Sequence, residues 1–314
     1  LIVAEGAKPP EYEIMLRAAP VHCLRGVVSD DEGRPVSGAS VSLLSEIGWG
    51  AAEAKVASSA DGGFEFPSVR PGEWQVVATA KRGEVVLKGF TQLVMPRRDL
   101  DGIPLQIAQP FALDVVFEGL PRDGKRPFVW LFPEAGPDEQ VAHAGPQPDG
   151  TTRFEEVYAG RYRLGQPEAL SGYYLKSIEL GSADITGKVV DLTQQSPPVK
   201  LVFSSKPARA WGRVENGAGI KVVLVDAAQE DYILGQEVRV AVCNDQGRFA
   251  IEDLRPGTYH AFAFAMAGVN TGAVKEAVLR LGLSQQARTV RLGEGEAVKL
   301  DLTITPFPAS LRRP

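Results

Sequence analysis

The chain has 314 residues, a formal charge of −5, and 44% hydrophobic and 23% charged residues. This composition can bury cores in two or three domains and excludes a disordered chain. The acidic balance argues against a dedicated nucleic-acid or anionic-membrane binder, and the 33 Gly and 23 Pro favour turns over long helices.

Position 1 is Leu, and no positively charged stretch precedes an apolar one, so no signal peptide is read in this chain. No apolar run approaches the roughly 20 residues that span a bilayer. In residues 1–19, Tyr12, Ile14 and Leu16 alternate along the chain, as in a strand with one buried face. Ala19-Pro20 follows, and then the strand-like Leu24-Arg25-Gly26-Val27-Val28.

One pattern recurs three times. The first copy is Asp61-Gly62-Gly63-Phe64-Glu65-Phe66, then Val69, Pro71-Gly72 and Trp74. The second is Asp149-Gly150, Phe154, Val157, Ala159-Gly160 and Tyr162. The third is Asp245-Gln246-Gly247-Arg248-Phe249-Ala250-Ile251, Leu254, Pro256-Gly257 and Tyr259. Each reads as turn, strand, tight turn, strand. Glycine supplies φ > 0, and alternation sends Phe64 and Phe66 to one face and Trp74, Val76 and Ala78 inward. The recurrence, roughly 90–95 residues, is the size of a small β-sandwich.

A second element marks the joints. Ile103, Leu105 and Ile107 lead through Pro110 to Leu113, Val115 and Phe117. Val199, Leu201 and Phe203 lead through Pro207 to Trp211-Gly212-Arg213-Val214, with Trp211 assigned to the core; Leu300, Leu302 and Ile304 lead to Pro306. Proline stiffens each joint and lacks the donor for a ladder. Helix signals are poor; the best candidate, residues 272–283 with Val274, Val278, Leu281 and Leu283, is flanked by glycine and ambiguous.

The stretch Leu24 to Leu43, with its Gly33-Arg34-Pro35-Val36 and Gly38-Ala39 turns, and its downstream partner Asp61 to Trp74 resemble the carboxypeptidase regulatory-like domain. The resemblance is clear again in Asp245 to Tyr259 and is limited in the middle copy to Phe154–Tyr162. The segment Gly172 to Gly187 resembles stretches of tandem arrays in large bacterial exported proteins. What the resemblance implies is a seven-stranded transthyretin-like sandwich, used as an accessory module of peptidases, receptors and adhesins, with no catalytic residues to carry over. Some adhesin relatives hold a Lys–Asn isopeptide bond; the first strand here has no Lys and Ile103–Ile107 has no Asn, so none is expected.

Enzymatic constellations are weak. His22, His143 and His260 fall in different repeats, and no Gly-x-Ser-x-Gly elbow occurs. Asp30-Asp31-Glu32 and Asp99/Asp101 read as turns rather than calcium ligands. Gly48-Trp49-Gly50 and Gly293-Glu294-Gly295 lack the helix and lysine of a phosphate cradle. Cys23 and Cys243 read as buried thiols, with an interdomain or interchain disulfide as the alternative. Trp49, Trp130, Tyr173 and Tyr174 are candidates for stacking on sugar rings, against the plainer reading of packing at sandwich ends or joints.

The sequence therefore predicts an all-β chain of three tandem transthyretin-like or immunoglobulin-like β-sandwiches in an elongated array: 20–108, 109–205 and 206–306, with a tail at 307–314. Residues 1–19 are read as the last strand of a preceding domain or as a strand donated to another chain through Tyr12, Ile14 and Leu16. In the second case, deleting residues 1–19 is expected to abolish assembly and leave the domains folded. The expected function is a structural spacer, stalk or filament subunit at the cell surface or outside the cell. It works by self-association or contact with other surface proteins, without catalysis, cofactor, nucleic acid or membrane span. The alternative is an accessory module of a larger exported enzyme or receptor, binding glycan or protein through Trp49, Tyr173 or Tyr174.

Overall fold

A computed structural model describes residues 19–45, 52–121, 124–134, 141–147, 150–165, 170–227, 238–265 and 286–306. Tyr12, Ile14, Leu16, Trp49, the helix candidate at 272–283 and the tail lie outside the described residues. The described chain is all-β and separates into two compact units. One takes the residues up to Lys81 and Phe90–Ile107; the other takes Arg82–Gly89 and everything from Ala108. Among the described residues, no helix is long and apolar enough to cross a membrane.

The first seven strands are β1 (His22–Ser29), β2 (Ser40–Ser45), β3 (Ala52–Ala57), β4 (Gly63–Val69), β5 (Gly72–Arg82), β6 (Val85–Met95) and β7 (Leu100–Gln106). They form two sheets, ordered β4-β1-β7 and β3-β2-β5-β6. Inward alternation makes a sandwich. Leu24, Val28, Phe64, Phe66 and Leu105 are buried from the first sheet, and Val41, Leu43, Trp74, Val76 and Ala78 from the second. Phe64 and Phe66 meet edge to face at 6.0 Å, as their spacing predicts. Each large side chain fully buried in this way contributes about 1.5–3 kcal/mol.

The second unit begins with β8 (Phe111–Glu118), β9 (Val129–Pro133), β10 (Ala142–Pro146), β11 (Thr152–Val157), β12 (Gly160–Gly165), β13 (Tyr174–Leu180), β14 (Ala183–Asp184), β15 (Val189–Leu192) and β16 (Val199–Ser204). These share one sheet in the order β14-β13-β16-β8-β11-β10-β9-β12-β15. Strand β10 turns the sheet back on itself: its end pairs with β11 and its start with β9. The two halves enclose one core that includes Leu113, Val129, Leu131, Phe154, Tyr162, Ile178 and Leu201.

Then come β17 (Ala208–Arg213), β18 (Lys221–Asp226), β19 (Val238–Val242), β20 (Arg248–Leu254), β21 (Gly257–Phe264), β22 (Arg288–Leu292) and β23 (Ala297–Lys299). They form sheets ordered β20-β17-β23 and β19-β18-β21-β22 around a separate core that includes Ala210, Val222, Leu224, Phe249, Ile251, Tyr259 and Leu300. Strand β18 is buried on both faces, Val222 to Val225 all lying at 2% exposure or less. This explains an apolar run without alternation.

One inward assignment is corrected. On β17 the buried positions are Ala208, Ala210 and Gly212, so Trp211 points outward and is 41% exposed. Ile304, past the end of β23, is 41% exposed.

The recurring aromatic after each Gly has a further task. Trp74 Nε1 donates to Arg70 O at 2.8 Å, Tyr162 Oη to Tyr158 O at 2.9 Å, and Tyr259 Oη to Arg255 O at 2.7 Å. Each ring fills a core while its one polar group satisfies the carbonyl four residues back, across the tight turn. Burial raises the Tyr162 phenol to about 12 and pushes the Tyr259 phenol well above its usual value.

Candidate functional site

The feature shared by all three strand sets is the pairing of first with last strand. Strand β1 runs parallel to β7 from Leu24↔Leu100 to Ser29↔Gln106. Strand β8 runs parallel to β16 from Val115↔Val199 to Glu118↔Val202. Strand β17 runs parallel to β23 from Arg209↔Ala297 to Trp211↔Lys299, with a further bridge from Val214 to Leu302. Parallel neighbours at the two ends of a segment place its incoming and outgoing chain at opposite poles. Tension applied to the two ends then loads the ladder along its length, in shear, so its hydrogen bonds share the force.

Close approach makes these pairs tight. A Cβ on Gly26 would lie 2.4 Å from Ile103 O, and one on Gly212 would lie 2.0 Å from Leu300 O. Only glycine lets the last strand's carbonyl sit there. In the third set the ladder is closed by Leu300 N–H donating to Trp211 O at 2.7 Å and Leu302 N–H to Arg213 O at 2.9 Å. In the first, Ile107 N–H donates to Ser29 O at 2.8 Å. Outside the first clamp, Arg25 reaches Glu65 on β4 at 3.1 Å and Asp101 on β7 at 3.0 Å, bridging three strands with one guanidinium.

The residues singled out by sequence fall as follows. Tyr173 is half-buried against the core of the β8–β16 sheet. Tyr174 is 5% exposed, which leaves no ring face open to a sugar. Instead its hydroxyl donates to Glu294 Oε1 at 3.2 Å, beside the Ser204 hydroxyl at 2.7 Å. These hydrogen bonds, Ser204's first, hold the Glu294 carboxyl below the usual range. Nearby, Asp253, in a left-handed conformation at φ 55, accepts from Gly172 N–H at 2.9 Å, and Arg255 donates to Lys176 O at 3.2 Å. Within the second unit this makes a polar seam between the β8–β16 sheet and the β17–β23 strands.

Asp30 is turn chemistry. Its carboxylate accepts from the backbone N–H of Glu32 and Arg34 and from the Arg34 guanidinium at 2.8 and 3.0 Å. The Arg34 side chain first, and then those N–H groups, draw its pKa down to about 2. Among the described residues no cluster of His, Cys, Asp and Glu has metal-binding geometry. His22 is on β1, His143 on β10 and His260 on β21; the His143 ring leans on Trp130 at 5.6 Å. Trp130 is 41% exposed. Cys23 and Cys243 are free thiols, the second buried.

Sequence reasoning missed the terminal-strand clamps, because their partners lie 76 to 88 residues apart in the chain, as the Cys23–Asp99 and Arg213–Asp301 contacts show. The signal it could have used is a glycine in or just past each opening strand: Gly26 in β1, Gly119 after β8 and Gly212 in β17.

Residues 24–94 match the family model of the carboxypeptidase regulatory-like domain. No curated protein matches the chain. Among solved structures, the Bacillus anthracis TIE protein is 14% identical, over 90% of this chain and 50% of its own, with a TM-score of 0.24; this chain thus spans about half that protein's length. The Streptococcal ancillary pilin is 13% identical, over 91% of this chain and 99% of its own, with a TM-score of 0.30. The major pilin subunit of Bacillus cereus is 11% identical, over 90% and 98%, with a TM-score of 0.23.

Proposed function

We propose that this chain, whose residues 24–94 form a carboxypeptidase regulatory-like domain, is a non-catalytic structural protein that works outside the cell or at its surface. It acts as a spacer or filament subunit of three tandem β-sandwiches and transmits tension. The observation that carries this reading is the parallel pairing of β1 with β7, β8 with β16 and β17 with β23. Opposite poles for incoming and outgoing chain suit modules strung in series, and a ladder sheared as a whole resists extension better than one peeled bond by bond. Separate cores let each module fail independently. The scattered histidines support a role without catalysis. Assembly would come from strand pairing with neighbours, with Tyr12, Ile14 and Leu16 as the inserting face.

The test is stretching of the full chain, tethered at its two ends, in a single-molecule force experiment. The expected record is three discrete unfolding steps, each releasing roughly 90–95 residues of contour, in line with the motif's recurrence. Smooth extension without steps, or a single step for the whole chain, would refute the reading.

A further inference from the structure

The outer face of the β20-β17-β23 sheet is built differently from the same face of the first sandwich. At the residue before the clamp glycine, the first sandwich has Arg25, closed by Glu65 and Asp101. The third has Trp211, exposed at 41%. Its neighbours in register are Ala250 on β20 and Lys299 on β23. The small Ala250 leaves the indole standing in an open groove of about 1070 Å³, whose charged lining is Arg209, Arg213, Arg248 and Lys299 against Glu215 and Asp301.

The charges of this groove are out of balance. Arg209 pairs with Glu252 at 2.8 Å and Lys299 with Asp301 at 2.9 Å. Asp301 Oδ1 also accepts from the backbone N–H of Arg213, so both of its oxygens have partners, and Glu215 is left as the one further carboxylate of the groove against two guanidiniums. Arg213 and Arg248 are directly opposite each other across the β17/β20 ladder. The Arg213 side chain donates to Gln246 O. Among the described residues neither guanidinium has a carboxylate partner. Like charges directly opposite on a sheet destabilise it. Here they stand side by side on a chain whose net charge is −5.

We propose that this face is a binding site for an acidic polysaccharide, a chain of pyranose rings bearing carboxylates. One ring stacks on the open face of Trp211, where an amphipathic ring meets a flat apolar platform. A carboxylate of the adjoining sugar lies between Arg213 and Arg248, whose planar forks take oxyanions bidentately. Arg213 is two residues along the strand from Trp211, on the same face, about 7 Å away, so ring and charge are read at neighbouring positions. An acidic peptide would satisfy the guanidiniums but make no use of the indole. A neutral glycan would stack but leave the arginine pair facing itself.

The test uses the full chain and calorimetric titration with polygalacturonate oligomers, against a neutral dextran oligomer of equal length and polyglutamate. The expected result is binding to the polyuronate that weakens with added salt, with neither control binding comparably. Trp211→Ala and Arg248→Gln are each expected to weaken it about tenfold, the size of a single anchor's loss. Both side chains are exposed, and unchanged thermal unfolding of the variants confirms that they fold. Three results would each overturn the proposal: no binding of polyuronate at millimolar concentration, equal binding of dextran, or equal binding of polyglutamate with Trp211→Ala indifferent.

Discussion

Replacing Gly212 with alanine tests the clamp directly. The new Cβ would lie 2.0 Å from Leu300 O, with the Leu300 carbonyl carbon at 2.6 Å. Both are backbone atoms that no rotamer change can move aside. Restoring ordinary contact needs the strands to part by about 1.4 Å. The flanking ladder bonds, 2.7 Å at Leu300 N–H and 2.9 Å at Leu302 N–H, would then stretch beyond hydrogen-bonding range. Two such bonds at about 0.5–1.5 kcal/mol each, with loosened packing at Leu300 and Leu302, put the cost near 3 kcal/mol. Hydrogen-exchange mass spectrometry on the full chain reads this as exchange about 150-fold faster over 298–303, at about 1.36 kcal/mol per tenfold. The same loss lowers the unfolding temperature of that sandwich by roughly 12–24 °C. Gly257→Ala is the control: its nearest neighbour would be a Tyr259 ring carbon at 3.8 Å, and its expected effect is within about 0.5 kcal/mol. Exchange at 298–303 unchanged by Gly212→Ala, or changed equally by Gly257→Ala, would show that close approach does not hold the terminal strands together.

Two further outcomes follow from buried and seam polar groups. Tyr162→Phe keeps the ring but leaves Tyr158 O without its donor, and is expected to destabilise by about 1–3 kcal/mol in denaturant unfolding; because the folded phenol is raised to about 12 from 10.0, the wild type should lose stability between those values as pH rises, and the variant should lose less. On the acid side, Glu294 is depressed below 4.5 by Ser204 and Tyr174 and Asp30 from 3.8 to about 2 by Arg34. Depressed carboxylates stabilise the fold above their unfolded values and cease to as pH falls through the folded ones. Carboxyl NMR titration should therefore find the seam protonating below pH 4.5 while the Asp30 turn persists to about 2; an unshifted Glu294 midpoint would remove the seam.

Much of the architecture was legible in the chain itself. Glycine turns followed by alternating aromatics announce strand–turn–strand units, and Phe64, Phe66, Trp74, Phe154, Tyr162, Phe249 and Tyr259 are all buried. Such local signals need only a strand's period of two and a residue that tolerates φ > 0. The hydrogen bond from each aromatic back across its turn is also local, four residues in length.

Phase and partnership are different matters. Alternation on β17 sets Ala208-Ala210-Gly212 against Arg209-Trp211-Arg213; the bulk of the indole taken alone points Trp211 inward, while the two arginines on its face oppose that. The fold chose the small residues. The Leu300 backbone, just past β23, presses onto Gly212, and the core is filled from elsewhere by Phe249, Tyr259 and the Leu300 side chain. A one-residue change of phase exchanges every side chain between core and solvent, so the platform at Trp211 came into being with that choice. Which strands would lie parallel, and which carboxylates would reach which arginines, depended on contacts across whole domains. Composition and spacing set the kind of strand; only its neighbours in space set which face meets water.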